Sequence, residues 1–401
     1  MIKSRIRQNI ISLYLIKFGK WFNLVMPVIV LFYQKNGLSM QDIFLLKSIY
    51  SIAIVVMEIP SGYFADMWGR KKTLLAGALL GAAGFALYSF SYTFGAFIIA
   101  EIVLGVGQSF ISGADTAMLY DTLREAHKEN DYIRQEGWIT SSGNFAEAFA
   151  GIAGGLLATI SLRLPFFFQF AVASIAIPAA LFLKEPRRHR QKLAGSLKNI
   201  LQTIRETARH PQLRSAILIS SSAGTASLTF AWFVQPFFQA AKLPVSLFGI
   251  MWTLLNLSVG LSAIFSFRVE RLLGQRRSLV LIIGGLTACY FLASWQISLT
   301  GIAFLFLFYL IRGVTHPILK DYINRYTNSE VRATILSLRD FCIRINFAII
   351  GPVLGFIADR FSLGSALLTA GGGYLVTALL CIKPLWRQKN PSRQMETTNP
   401  S

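Results

Sequence analysis

Charged residues are scarce in this chain, and so are cysteines. Only 14% of the 401 residues are Asp, Glu, Lys or Arg, whereas 54% are hydrophobic and 32 are Phe. A soluble globular domain carries about a quarter charged residues, so this composition argues against a water-soluble enzyme or binding domain. A chain of this length can instead hold a dozen apolar helices of about 20 residues, each long enough to cross a bilayer.

The three cysteines, Cys289, Cys342 and Cys381, each lie inside an apolar stretch. Their spacing matches no metal-binding pattern, and a disulfide scaffold needs paired, exposed thiols. We interpret them as small core residues, and we predict neither a metal site nor a cofactor.

Acidic residues are about half as frequent as basic ones, 19 against 39, which gives a net charge of +20. In a soluble protein this excess would suggest a nucleic-acid partner. Here the basic residues lie between apolar segments, so we predict contact with a membrane surface and no nucleic-acid partner.

Twelve apolar segments follow one another along the chain, and they predict an all-α polytopic membrane protein with twelve transmembrane helices. Lys and Arg concentrate in alternate loops, among them 70–72 and the nine basic residues from Lys184 to Arg214. The positive-inside rule then predicts a multi-pass inner (plasma) membrane protein with both termini in the cytoplasm. The approximate bounds of the segments are 9–34, 40–65, 72–91, 94–122, 136–160, 164–184, 212–239, 245–268, 278–296, 299–325, 332–359 and 363–384.

The longest loop divides the chain into two halves of six helices each. Apolar residues recur at helical spacing within this loop, which predicts an amphipathic helix suited to lie on an anionic membrane surface. The predicted parts are an N-terminal bundle over 1–184, a cytoplasmic linker over 185–211, a C-terminal bundle over 212–384 and a cytoplasmic tail over 385–401.

The two halves also repeat one another. Glycines in similar local sequences recur at a nearly constant separation along the chain. The pairs are Gly69 with Gly274, Gly105 with Gly313, and Gly154 with Gly355. This duplication predicts two pseudo-symmetric six-helix bundles, the layout of a carrier that binds its solute at the midplane between the halves.

The stretch from Gly62 to Lys72 closes the second predicted helix and opens the third. Its sequence, Gly-Tyr-Phe-Ala-Asp-Met-Trp-Gly-Arg-Lys-Lys, resembles the loop 2–3 motif of the major facilitator superfamily. Every position fits except Met67, where the family usually has a basic residue. The resemblance covers the whole chain and implies the twelve-helix fold of this superfamily, on its exporter and antiporter branch.

The resemblance assigns a gating role to Gly62, Asp66, Gly69, Arg70 and Lys71. It implies that the aspartate caps the cytoplasmic end of helix eleven, which corresponds here to the backbone at 329–333. The physical reason is that a carboxylate at a helix N-terminus satisfies free N–H groups and meets the positive end of the helix dipole.

A second motif, Gly351-Pro352-x-x-Gly355, lies in the eleventh helix, and a copy with Gly151 and Gly154 lies in the fifth. It resembles the Gly-Pro motif of the family's antiporters. Small residues let helix backbones approach closely, and proline bends the helix. In the fifth helix, where the antiporters carry the proline, Gly151 takes its place.

Ionisable residues inside the apolar segments are the candidate site residues. A charge at the bilayer centre costs about 2.5–3.5 kcal/mol, so those retained usually face a cavity or a partner. In this superfamily helices one, four, seven and ten line the central cavity, which implies that it contains Lys17, Lys20, Glu101, Asp115, Arg312 and His316. Candidates for proton coupling or ion pairs are Glu58, Glu147, Arg339, Asp340 and Arg344, and the last two can pair one turn apart.

We predict a transporter rather than an enzyme, because the chain has no P-loop, His-Glu-x-x-His or Gly-x-Ser-x-Gly motif. The leading hypothesis is a monomeric, alternating-access exporter of a small anionic solute in exchange for protons, surrounded by membrane lipids. The family's drug–proton antiporters often carry an acidic residue in helix one and an arginine in helix four, where this chain has Lys17 and Glu101. Open alternatives are a proton-coupled importer of an anionic nutrient or siderophore, multidrug efflux of neutral or cationic compounds, and a receptor without transport activity.

Overall fold

The computed structural model describes residues 2–128, 131–186, 197–327 and 331–386, most of which are helical. The chain divides into two compact units. The first comprises Met1–Gln191 and Leu243–Thr253, and the second comprises Lys192–Lys242 and Leu254–Ser401. Residues 187–196 of the predicted linker and the predicted tail from 387 onward lie outside the described residues.

The helices of the first unit pack mainly through α5, which contacts both α3 and α4, and through α1, which contacts α6 and α8. In chain order they are α1 (Ile2–Trp21), α2 (Ile29–Lys35), α3 (Met40–Met67), α4 (Arg70–Phe90), α5 (Phe94–Glu125), α6 (Tyr132–Ile160), α7 (Leu164–Ser174) and α8 (Ala176–Phe182). The start of α11 also belongs to this unit.

In the second unit, α10 contacts α13, α14 and α15, and α12 contacts α13 and α15. The predicted linker helix is present as α9, which packs against α10 and α14. In chain order the helices are α9 (Leu197–Arg209), α10 (Pro211–Ala240), α11 (Val245–Ile264), α12 (Ser266–Trp295), α13 (Ile302–Arg325), α14 (Arg332–Arg360) and α15 (Leu363–Trp386).

Eleven helical stretches in the described part of the chain are long and apolar enough to cross a membrane. They match every predicted segment except the first, and α7 and α8 together form one of them. The first predicted segment differs because α1 carries five basic residues, which lower its hydropathy although its 20 residues have the length of a span. The fold is therefore the predicted all-α bundle of membrane helices.

The prediction of one helix over 9–34 is wrong in detail, because the helix breaks after Trp21 and resumes at Ile29. Pro27 explains the break, since proline removes a backbone donor and clashes with the preceding helical turn. Inside the break the backbone N–H of Leu24 donates to the buried side-chain oxygen of Gln169 at 2.8 Å. That bond replaces a lost helical one, as an apolar surrounding requires.

The repeated glycines occupy equivalent structural positions in the two units. Gly69 and Gly274 both adopt positive φ, +110° and +69°. Gly69 directly precedes α4, and Gly274 forms a kink that divides α12 into two helical stretches. Gly105 lets α5 approach α3, since an added Cβ would lie 2.7 Å from Ala53 Cβ. An added Cβ on Gly313 would overlap Ser262 of α11 in the same way.

Candidate functional site

A cavity of about 420 Å³ lies inside the second unit, where small and hydroxyl side chains of α10 face charged side chains of α13 and α14. It brings five of the predicted site residues together. Three guanidinium groups line it, but only one carboxylate does, so the wall carries excess positive charge. Its polar lining residues are Ser220, Ser227, Arg312, Thr315, His316, Arg339, Asp340 and Arg344.

Arg339 is the anchored guanidinium of this cavity, and its side chain is almost completely buried. Its Nε donates to Ser220 Oγ at 2.6 Å, and its Nη1 donates to Asp340 Oδ1 at 2.8 Å. The carboxylate that was expected to pair with Arg344 is therefore used by its sequence neighbour. Charge-assisted hydrogen bonds of this kind fix both partners in orientation.

Arg312 and Arg344 are half-buried at the cavity wall. In the part of the chain that the structure describes, neither has a carboxylate within ion-pair distance. The guanidinium carbon of Arg312 lies 5.2 Å from the ring centre of Tyr309, a cation–π contact that orients the side chain without neutralising it. His316 lies one turn beyond Arg312 on α13 and its side chain is exposed. The cavity thus offers two guanidinium groups and an imidazole to a bound molecule.

Lys17 belongs to the first unit, where its charge is compensated. Its Nζ lies 3.2 Å from Asp115 Oδ2 and 3.6 Å from Glu136 Oε1. One ammonium group between two carboxylates leaves the cluster with an excess of negative charge. Lys20 lies one turn further along α1 and is half-buried.

Glu101 forms a separate buried cluster near the other end of α5. Its Oε1 accepts hydrogen bonds from Lys47 Nζ and, at 2.8 Å, from the Tyr33 hydroxyl. The hydroxyl groups of Tyr33 and Tyr88 lie 2.5 Å apart. Fourteen residues separate Glu101 from Asp115 along α5, a rise of about 21 Å, so the two carboxylates belong to different layers of the bundle.

The loop between α3 and α4 is held by carboxylates of its own unit. Glu185 caps α4, because its Oε1 and Oε2 accept the backbone N–H groups of Arg70 and Lys71, each at 2.9 Å. The Arg70 Nε donates to Asp121 Oδ2 at 2.6 Å, and Lys71 Nζ donates to the Leu181 carbonyl at 2.6 Å. Arg70 and Lys71 of the predicted gating motif therefore also fasten α4 to α5 and α8.

The aspartate of the same motif, Asp66, has an exposed side chain, and so does Glu58 two turns earlier on α3. Gly62, between them, has open space where a Cβ would be. The predicted partner of Asp66 is the backbone at 329–333, of which 329 and 330 lie outside the described residues. The capping interaction therefore stays a prediction.

An arginine–carboxylate pair also lies beside the Gly274 turn of the second unit. There Glu270, near the start of α12, accepts a hydrogen bond at 3.0 Å from Arg325 at the end of α13. In the first unit the loop supplies the arginine, Arg70, and the following helix supplies the carboxylate, Asp121. The two pairs do not occupy matching positions, because Arg70 directly follows Gly69, whereas Glu270 lies four residues before Gly274.

Sequence comparison agrees with this helical architecture and with the loop motif. The family model of the Major Facilitator Superfamily matches residues 12–350. The chain belongs to this superfamily.

Two curated relatives of this facilitator are bacterial resistance proteins by name. Multidrug resistance protein 2 of Bacillus subtilis is 28% identical over 206 residues, 49% of each chain. Quinolone resistance protein NorA of Staphylococcus aureus is 21% identical over 178 residues, 44% of each chain. The matched part thus spans about half the length of either relative. The uncharacterised transporter YxaM of Bacillus subtilis is 21% identical over 88% of this chain and 90% of its own.

Solved structures of other facilitators share the fold. The nucleoside transporter NupG superposes with a TM-score of 0.79 at 16% identity, over 96% of this chain and 99% of the other. An inward-facing bacterial homologue of the human lysosomal transporter Spinster superposes with a TM-score of 0.71 at 14% identity, over 95% of each chain. At these identities the likeness concerns the fold alone.

The Gly-Pro motif of the facilitator family corresponds to close helix contacts in the first unit. An added Cβ on Gly154 of α6 would overlap the Leu24 carbonyl in the break after α1. An added Cβ on Gly151 would lie 2.6 Å from Thr253 Oγ1, whose hydroxyl donates to the Ala148 carbonyl at 2.9 Å. Glu147, one turn before Gly151, is half-buried.

The matching motif of the facilitator's second unit lies in α14, which continues through Pro352. Gly351 and Gly355 are buried on either side of it.

Sequence inspection missed the residues that compensate the predicted charges in this facilitator. Lys47 pairs with Glu101, and Glu136 is a second carboxylate beside Lys17. The loop motif is held by two further carboxylates, those of Asp121 and Glu185. Lys47 carried a usable signal, because it is an ionisable residue inside an apolar segment.

Proposed function

We propose that this facilitator exports a small organic anion across the inner membrane by alternating access, in exchange for protons and as a monomer. The observation that supports an anionic solute is the cavity of the second unit, with three guanidinium groups against one carboxylate. Its volume of about 420 Å³ falls within the range of about 300–1,000 Å³ that is typical of small-molecule sites.

The physical argument concerns the charges that the cavity leaves uncompensated. A buried cation without a partner is unfavourable, because desolvation is not offset by Coulomb attraction. Arg312 and Arg344 lack carboxylate partners among the described residues, so a bound anion would supply the missing charge. A guanidinium group also offers two parallel donors, which fit a carboxylate.

The direction of transport and the coupling ion rest on separate observations. Two relatives carry resistance in their names, which favours export over uptake. The Gly-Pro motif in α14 resembles the motif that the family's antiporters carry in helix five, where this chain has Gly151 in place of the proline. Protons are the proposed coupling ion on the basis of this resemblance. The concentration of basic residues in alternate loops supports cytoplasmic termini.

Transport by purified protein in proteoliposomes tests the proposal with chemically matched anionic and cationic solutes. Loss of a charge-assisted contact worth about 1.5–3 kcal/mol predicts that Arg312→Gln lowers anion transport about 10- to 100-fold. Arg312→Lys should retain part of the activity, and Arg360→Gln, an exposed arginine at the end of α14, should behave as the wild type. Efficient transport of cations, unchanged in Arg312→Gln, would refute an anionic solute.

A second candidate is efflux of neutral or cationic drugs. The cluster of Lys17, Asp115 and Glu136 favours it, since its excess carboxylate would attract a cation. Glu136→Gln separates the two candidates, because it should impair cation transport and leave anion transport intact if drugs are the solutes. The response of flux to an imposed pH gradient then separates export by exchange from proton-coupled uptake.

A further inference from the structure

An apolar groove of about 520 Å³ runs along the surface of the second unit between α12 and α15. Its walls include Leu279, Ile283, Leu375 and Leu379. Gly284 also lines it, and an added Cβ at this glycine would meet no atom within 4 Å. Because both helices are long and apolar enough to cross a membrane, hydrocarbon chains are the natural occupants of the groove.

One end of the groove is polar and basic. Lys383 and Trp386 of α15 line it there, and both side chains are exposed. Arg276, near the same end of α12, donates from Nε to the Trp386 carbonyl at 2.9 Å. In the described part of the chain the ammonium group of Lys383 has no carboxylate within ion-pair distance. A tryptophan and a lysine at a helix end are typical of the depth of lipid headgroups.

We propose that this groove is a binding site for one anionic phospholipid of the bilayer. One acyl chain lies along the apolar walls past Gly284, and the phosphate meets Lys383 at the basic end. Charge complementarity selects the headgroup, because a basic residue at a membrane surface attracts anionic lipids. The site is independent of the solute cavity, so it stands whether the transported solute is an anion or not.

Quenching of Trp386 fluorescence by brominated lipids tests the site. The full-length protein is placed in vesicles with brominated phosphatidylglycerol or brominated phosphatidylcholine, and the Trp386→Phe variant supplies the signal of the other tryptophans. One basic residue at the surface predicts about a fivefold preference of the Trp386 site for phosphatidylglycerol. Lys383→Gln should abolish this preference, and Lys383→Arg should keep it.

Gly284→Leu should fill the groove and reduce quenching of Trp386 by both lipids, without strain, because space is free at that position. Gly260→Leu is the matched control, since a Cβ there also meets nothing within 4 Å, on α11 away from the groove. Equal quenching by both lipids in the wild type would show ordinary bilayer contact and overturn the proposal. Absence of quenching by either lipid would show that something other than lipid, such as a second copy of the chain, covers the groove and would overturn it as well.

Discussion

The two units of this facilitator treat their buried charges differently. In the first unit Lys17 contacts the carboxylates of Asp115 and Glu136, and Lys47 contacts the carboxylate of Glu101. In the second unit a cavity collects three arginines around the single carboxylate of Asp340. Compensated charges hold helices together, whereas uncompensated ones favour a bound ligand of opposite charge. The difference identifies the second unit as the better candidate for solute recognition.

Breaking the most buried pair of the first unit should have the largest effect on stability. Lys47→Met leaves the Glu101 carboxylate buried without its cation, so we expect a loss of about 3–5 kcal/mol in the free energy of unfolding. Denaturant or thermal unfolding in detergent measures it, and adding Glu101→Gln should recover much of the loss. Arg5→Gln is the control, since the half-exposed pair of Arg5 with Glu125 is worth only about 0–1 kcal/mol. Equal effects at both pairs would contradict the comparison.

Removing the anchored arginine of the second unit should have an intermediate effect. Arg339→Gln loses the bonds to Ser220 and Asp340, and hydrogen bonds to a charged group are worth about 1.5–3 kcal/mol. The cost stays below that at Lys47, because the side chain of Asp340 is 58% exposed and water can solvate it. Unfolding measured as for Lys47→Met compares the two units directly. A larger loss here than in the first unit would reverse their order.

Removing the cap of α4 should have a smaller effect. Glu185→Ala frees the backbone N–H groups of Arg70 and Lys71, and loss of a cap costs about 1 kcal/mol. Glu206→Ala, on the linker helix α9, serves as a control outside the loop. A change in transport without a change in stability would show that the cap acts on the gate rather than on the fold.

The smallest effect on stability should come from the cavity arginine. Arg312→Gln removes a charge that has no carboxylate partner among the described residues, so the free energy of unfolding should change by no more than about 0.5 kcal/mol. The same variant should lose anion transport, which separates recognition from stability in one protein. A loss above about 2 kcal/mol would mean that Arg312 is a structural residue with a partner of its own.

The apolar segments could be predicted from sequence because their length and composition are properties of single stretches of chain. The break after Trp21 was not predicted, because Pro27 lies within a continuous apolar run. Apolar composition alone does not show where a proline removes helical hydrogen bonds. Lys47 and Glu101 are 54 residues apart, and their contact depends on the register of α3 against α5. Nothing local to either segment specifies that register.

The candidate cavity could be predicted in part. Arg312 and His316 share one face of α13 at helical spacing, which sequence alone shows. Helix packing places Arg339 and Arg344 of α14 in the same cavity. Packing also determines that Asp340 accepts a hydrogen bond from Arg339. The ionisable residues could be identified from the sequence, whereas helix packing determines which of them form ion pairs.

The two loop contacts have a consequence for any exchange of loops between the two halves. Arg70 binds Asp121 in one, and Glu270 binds Arg325 in the other. Gln275 follows Gly274 where Arg70 follows Gly69, so a chimera in which the loop of α12 replaced that of α4 would set a neutral side chain against Asp121 and leave this carboxylate without its cation. The two loops are therefore not interchangeable, because each carries the side chain that pairs with a helix of its own unit.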